Sequence, residues 1–298
     1  MTPLTANRAM LTYVVGAFGG QLLLAWLVPG SIGLALLAGG VLSLALFALF
    51  FRPALRELAA SARWRAAPDL LTVLGAFGLG FVASRGVALF MQSVFPNAGQ
   101  ALQQYNLQFS STGPDLLILL FAGGLLIPFV EELVFRGLGL AGYEKVRGAV
   151  TAALLTSVLF ALVHGVPAQV VAVFPLGLVI ARAVQFSGSF WTGVIVHALN
   201  NSLSLGLAAL LLGNETFSNL LEGGAAQGAR ISLSAGLIAL AVGLGALYAA
   251  FAWLRVRSTP VKAGPWWSAS LLVPIGLFVL AALGEGLGDL LRPLLPTS

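Results

Sequence analysis

Glu131, Glu132 and Arg136 stand within the stretch PFVEELVFRG, and the run just upstream, LLILLFAGGLLI, carries no charge. An acidic or basic side chain at the centre of a membrane-spanning helix costs about 2.5–3.5 kcal/mol on insertion scales. Three so close together need a compensating reason. Glu132 and Arg136 are four apart, so they share a helix face and can pair. Glu131 lies about 100° around from Glu132, and the same arginine does not obviously neutralise it. A structural ion pair, with Glu131 tolerated near the interface, is one account. An unpaired intramembrane carboxylate is equally a candidate for function.

Two further pairs follow. LFALVHG sets Phe160 and His164 four apart, and IVHALNNS sets His197 and Asn201 four apart. Asn200 is turned away from that second face by about 100°. Either pair alone could serve as interhelical hydrogen bonding. The coincidence carries more weight, because the chain has only two histidines and both fall in the block that holds the carboxylates. Two imidazoles, a carboxylate and a carboxamide are the groups that activate water and hold a developing oxyanion. Glu131, His164 and His197 could also bind a divalent metal such as zinc with an open position, although there is no HExxH.

The elements that must position these groups are membrane spans. Of 298 residues, 59% are hydrophobic and 8% charged, against about 25% charged in soluble domains. The expected fold is all-α, a polytopic transmembrane bundle of eight or nine spans. Candidate spans are 9–28, 32–51, 70–92, 115–140, 149–165, 168–186, 190–212, 231–254 and 268–290, with Glu285 and Asp289 weakening the last. The runs are too continuous for the alternating strands of a membrane barrel. The first span lacks a cleavage site and reads as retained. With no cysteine, disulfide and thiolate chemistry are excluded.

The net charge of +5 is no nucleic-acid signal, because the basic residues sit largely in short connectors: Arg52, Arg56, Arg63 and Arg65, then Lys145 and Arg147, then Arg255, Arg257 and Lys262. All three connectors fall on the cytoplasmic side if the N-terminus is cytoplasmic. Arginine outnumbers lysine 13 to 2 amid abundant Ala, Leu and Gly, a composition that suggests a bacterial plasma membrane protein. Ionisable residues within spans concentrate in the centre. The chain therefore divides into scaffold helices over 1–114, a working core over 115–212 and further transmembrane helices over 213–298.

Geometry bears on whether the groups can meet. Glu131 lies sixteen residues before the bend near Arg147 and His164 seventeen after it. In an antiparallel pair both would lie ~24 Å from the bend. Straight helices leave His197 ~14 Å off that level, unless tilt or irregular backbone at Gly165–Pro167 closes the gap.

Glu131-Glu132-x-x-x-Arg136, Phe160-x-x-x-His164 and His197-x-x-x-Asn201 resemble, in order and spacing, the three motifs of the CAAX prenyl protease and bacteriocin-processing (CPBP) family. The resemblance spans about 115–205, a third of the chain. It implies an all-helical intramembrane endopeptidase. Glu131 and His164 would activate water, and His197 and Asn201 would stabilise the oxyanion. Glu132 and Arg136 would support the site by their ion pair, and Phe160 would pack against it. The resemblance admits either a divalent metal on Glu131, His164 and His197 or a glutamate mechanism with no cofactor. The depth offset of His197 favours the second.

The expected partners are the lipid bilayer and a peptide or protein substrate, with no nucleic acid. A bacterial source points to leader-peptide processing or protein maturation more than to prenylated substrates. Two rivals stand beside this reading: a non-catalytic bacteriocin-immunity or scaffold membrane protein, and a proton-coupled transporter with Glu131, His164 and His197 as relay. No inverted repeat supports the transporter. Elsewhere, Arg182 and Gln185 could touch substrate, but Arg182 is expected rather to snorkel to the interface. Arg85 is expected to take an interior role, 97–115 to be a solvated connector, and Trp266-Trp267 an interfacial anchor.

Overall fold

A computed structural model describes residues 1–28, 30–95, 113–212, 231–256, 261 and 263–280. The described residues are helical, with no strand among them. In chain order they form α1 (Pro3–Leu27), α2 (Ile32–Phe50), α3 (Arg52–Ala60), α4 (Ala62–Arg65), α5 (Leu70–Val94), α6 (Gly113–Phe121), α7 (Ile127–Glu132), α8 (Ala141–Leu162), α9 (Pro167–Ser187), α10 (Phe190–Leu212) and α11 (Leu233–Trp253). A shorter apolar helix covers Ala269–Leu280. Among the described residues, seven helical runs are long and apolar enough to cross a bilayer. The polytopic all-α bundle expected from the sequence is therefore present.

One of those runs, Gly113–Leu162, is 50 residues long. A straight helix of that length would reach ~75 Å, over twice a ~30 Å hydrocarbon core. It does not run straight. Gly148, at φ +75° and ψ 171°, breaks it, in a region of backbone space that only glycine enters cheaply. The chain then doubles back: the Phe135 ring meets Phe160 at 5.4 Å, and the Arg136 guanidinium lies 4.5 Å over the Phe160 ring. The bend expected near Arg147 and the antiparallel pair around it are thus observed. The sequence reading counted the two legs as separate spans, 115–140 and 149–165, and its ninth span, 268–290, is described only as the shorter helix Ala269–Leu280.

The outgoing leg is not a uniform α-helix. Wider π-helical turns cover Ala122–Leu126 and Leu133–Leu140, on either side of α7. Such turns shift the phase of the side chains that follow and loosen the backbone ladder, and they recur near functional sites.

Around this hairpin the other helices pack through small residues. α1 and α2 cross where Gly16 and Gly20 face Ser43 and Gly39; a Cβ on Gly20 would lie 2.7 Å from the Ala38 carbonyl oxygen. With no hydrophobic drive between helices in lipid, such close backbone approach supplies the packing. α3 buries Ala54 and Leu58, one turn apart, while Arg52 and Arg56 stay exposed. This amphipathic pattern suits a helix lying along the membrane surface. The main core joins Met10, Phe47, Phe135, Tyr143, Phe160 and Phe190, so α1 and α2 share it with the central hairpin. Glu285, Asp289, the end of the ninth expected span and most of the 97–115 connector lie outside the described residues.

Candidate active site

The site grows from α7 and the turn that follows it. Arg136 Nη1 donates to Glu132 Oε1 at 2.8 Å, and neither side chain has measurable solvent exposure. The i,i+4 pairing read from the sequence is therefore made, fully desolvated. Arg136 Nη2 donates to the Gly177 carbonyl of α9 at 2.7 Å, and the guanidinium rests on the Phe160 face. Such a pair is durable only when its remaining hydrogen-bonding capacity is met. Here Glu132 Oε2 and Arg136 Nε are buried without a partner among the described residues.

His197 completes the pair. Its Nδ1 lies 3.0 Å from Glu132 Oε1. Glu132 Oε1 already accepts from Arg136, and with Nδ1 as donor it accepts from the imidazole as well. The other ring nitrogen, Nε2, faces Glu131 Oε2 across 3.6 Å. That gap exceeds a direct hydrogen bond. The imidazole therefore stands between the two carboxylates, reaching both although they point about 100° apart on their helix. Glu131 itself is 5% exposed, and its Oε1 accepts a 2.6 Å hydrogen bond from the Tyr13 hydroxyl of α1.

His164 joins through Phe160. The Phe160 ring sits edge-to-face with His164 at 5.1 Å and with His197 at 5.3 Å. Both imidazoles thus flank one phenyl ring, which corrects the ~14 Å offset that straight helices imply. The reason is local. His164 lies beyond the last residue of α8, in a turn where Gly165 takes φ +77° and Val166 N donates to the His164 carbonyl at 2.9 Å. His164 Nδ1 lies 3.0 Å from the Phe160 carbonyl. A carbonyl can only accept, so Nδ1 carries the proton and Nε2 keeps a free lone pair.

Asn201 follows His197 by one turn of α10, and its Nδ2 donates to the Gly123 carbonyl of the first π-helical turn at 3.2 Å. Asn200, expected to face away, donates to Asn201 Oδ1 at 3.2 Å and so steadies the amide. Among the described residues no three His, Asp or Glu side chains gather at metal-ligand spacing. Glu131 and His197 approach one another, and His164 is not grouped with them. The side chains as they stand do not fit a three-ligand zinc centre.

Sequence reasoning missed three contributors. Tyr13 lies in a helix read as scaffold, and one tyrosine among apolar residues gives no signal by itself. Gly193 precedes His197 by one turn, and a Cβ there would stand 2.7 Å from both Glu132 Oε2 and Val184 Cγ2. Gly177 lends its carbonyl to Arg136, and a Cβ there would stand 2.8 Å from Phe160 Cδ1. Two arginines were misplaced. Arg182 is 4% exposed and donates to Gln185 Oε1 at 2.8 Å and to the Leu254 carbonyl at 2.9 Å, so it clamps helices and does not snorkel. Arg85 is exposed on α5, donating to Ser204 at 2.9 Å over the Phe81 ring. It takes no part in the buried cluster.

A buried chain of ionisable groups between apolar helices marks a polytopic membrane protein with a polar centre inside its bundle. Residues 113–203 match the family model described as type II CAAX prenyl endopeptidase Rce1-like. The match covers this central segment only, 91 of the 298 residues. The match covers all seven residues read from the three motifs. No curated protein and no solved structure matches the chain.

Proposed function

We propose that the protein is an intramembrane endopeptidase that hydrolyses a peptide bond of a membrane-associated peptide or protein, with Glu131 as general base. One observation carries the reading: Arg136, Glu132, His197 and Glu131 form a continuous buried chain of contacts at 2.8, 3.0 and 3.6 Å inside the family segment. A merely structural ion pair would end at Glu132. Here it extends through an imidazole to a second carboxylate.

The proposed route uses side chains alone. A water between Glu131 Oε2 and the His164 Nε2 lone pair loses a proton to Glu131. Its oxygen attacks the scissile carbonyl. Negative charge gathers on that carbonyl oxygen, where the Asn201 amide donates a hydrogen bond and His197 donates from Nε2 once that nitrogen carries a proton beside the one on Nδ1; each such donor contributes roughly 3–4 kcal/mol to the transition state. The proton held by Glu131 passes to the leaving amine nitrogen as the C–N bond breaks. Glu132 orients His197 through Nδ1, and Arg136 holds Glu132 in place by their 2.8 Å contact. The placement in a plasma membrane with a cytoplasmic N-terminus, read from the basic connectors, belongs to this proposal too.

The test is cleavage of a fluorogenic CAAX-type peptide, prenylated and unprenylated, by the purified protein in liposomes. Wild-type protein cleaves. Glu131→Gln lowers kcat by at least about 10³-fold with folding and insertion intact. Undiminished cleavage by Glu131→Gln removes the assigned base. No cleavage by wild type, together with full biological activity of the Gln variant, returns the protein to the non-catalytic reading.

A further inference from the structure

Resting on that reading of Glu131, we infer that Tyr13 is a positioning residue of the active site, contributed by a helix outside the family segment. Its hydroxyl donates to Glu131 Oε1 at 2.6 Å, at the short end for an O–H···O⁻ bond, and Tyr13 is 5% exposed. Its ring is fixed edge-to-face on Phe135 at 6.1 Å, and Phe135 packs on Phe160, the ring that both histidines share. The same stack that aligns the imidazoles therefore aims the hydroxyl.

The consequence is a division of labour between the two carboxylate oxygens. Oε1 is occupied by Tyr13. Oε2 is left facing His197 Nε2, and in the proposed route it is the oxygen that takes the proton from water. Without the phenol, a carboxylate turns about its last torsion with little preference, since that torsion is broad. The reacting lone pair would then spend much of its time off line, and misplacement of about 1 Å can cost on the order of 10²-fold in rate. Tyr13 touches neither water nor substrate in this scheme. It acts by holding Glu131.

The test is Tyr13→Phe in the full-length protein, which removes one oxygen and keeps the ring against Phe135. Expected is a fall in kcat of about 10- to 100-fold with KM unchanged. Infrared difference spectra supply a second readout. Tyr13→Phe minus wild type should show a shifted carboxylate stretch, and the band should vanish when the same comparison is made on a Glu131→Gln background. Unchanged kcat overturns the inference. So does a lower kcat with no carboxylate band tied to Glu131, which would mark Tyr13 as a packing residue only. Neither outcome touches the protease reading, which fails separately if Glu131→Gln still cleaves at the wild-type rate.

Discussion

At the scale of single residues, His197 is the hinge of the site because it alone reaches both glutamates. Its partner Glu132 is buried against Arg136, and breaking such a pair on one side strands the other charge at a cost of about 3–5 kcal/mol. Arg136→Gln should therefore unfold far more easily than wild type in a detergent melt, and Glu132→Gln/Arg136→Gln together should recover a good part of that loss. Equal destabilisation in the single and the double variant would show that the pair is not the stabilising unit. The pairs Glu132/Arg136, Phe160/His164 and His197/Asn201 were readable from spacing, since i,i+4 relations survive whatever surrounds them. The contact from Glu132 to His197 was not, because the two are 65 positions apart in the chain. Neither was Tyr13, whose role depends on which helix lies beside it.

At the scale of elements, α10 approaches α7 closely only because Gly193 has no side chain. Gly193→Ala would drive a methyl toward Glu132 Oε2 and Val184, each 2.7 Å away. Overpacking of this kind costs about 1–3 kcal/mol, and here it would also push His197 off Glu132. A lowered melting temperature together with lost peptide cleavage is expected; retention of both would mean that α10 can give way freely. At the start of α5, Asp69 caps the helix by accepting from the Thr72 amide at 2.8 Å and its hydroxyl at 2.7 Å. Those hydrogen bonds hold its carboxyl below the usual carboxylate range. A depressed folded value means that the cap contributes fully above the unfolded value of about 3.9 and fades as pH falls through the folded one. Wild-type and Asp69→Ala melting curves should therefore differ at neutral pH and converge in acid. Hydropathy sufficed to find these helices, but not the π-helical turns on either side of α7. Nothing in apolar content distinguishes a wide turn from an ordinary one.

At the scale of the whole molecule, Glu144 gathers one end of the bundle. Arg63 pairs with it at 2.8 Å, and Gln185 Nε2 donates to it at 2.8 Å. Gln185 in turn accepts from Arg182, which holds the Leu254 carbonyl at the end of α11. Sequence reading set Arg182 at the lipid interface because hydropathy cannot tell an arginine reaching for water from one reaching for a carbonyl. Gln185→Ala should leave buried polar groups unmatched and destabilise the protein by about 1–3 kcal/mol. The loss should show as faster amide exchange at the start of α8 and the end of α11 together, and exchange confined to one of them would break the proposed linkage. The doubling of the chain at Gly148 has a consequence for biosynthesis. Glu132 and Arg136 neutralise one another within a single turn, so the hairpin can enter the bilayer without waiting for any later segment. His197 emerges from the ribosome some sixty residues afterwards. On the proposed protease reading, the order of translation postpones activity until α10, the sixth helix beyond α4, has docked.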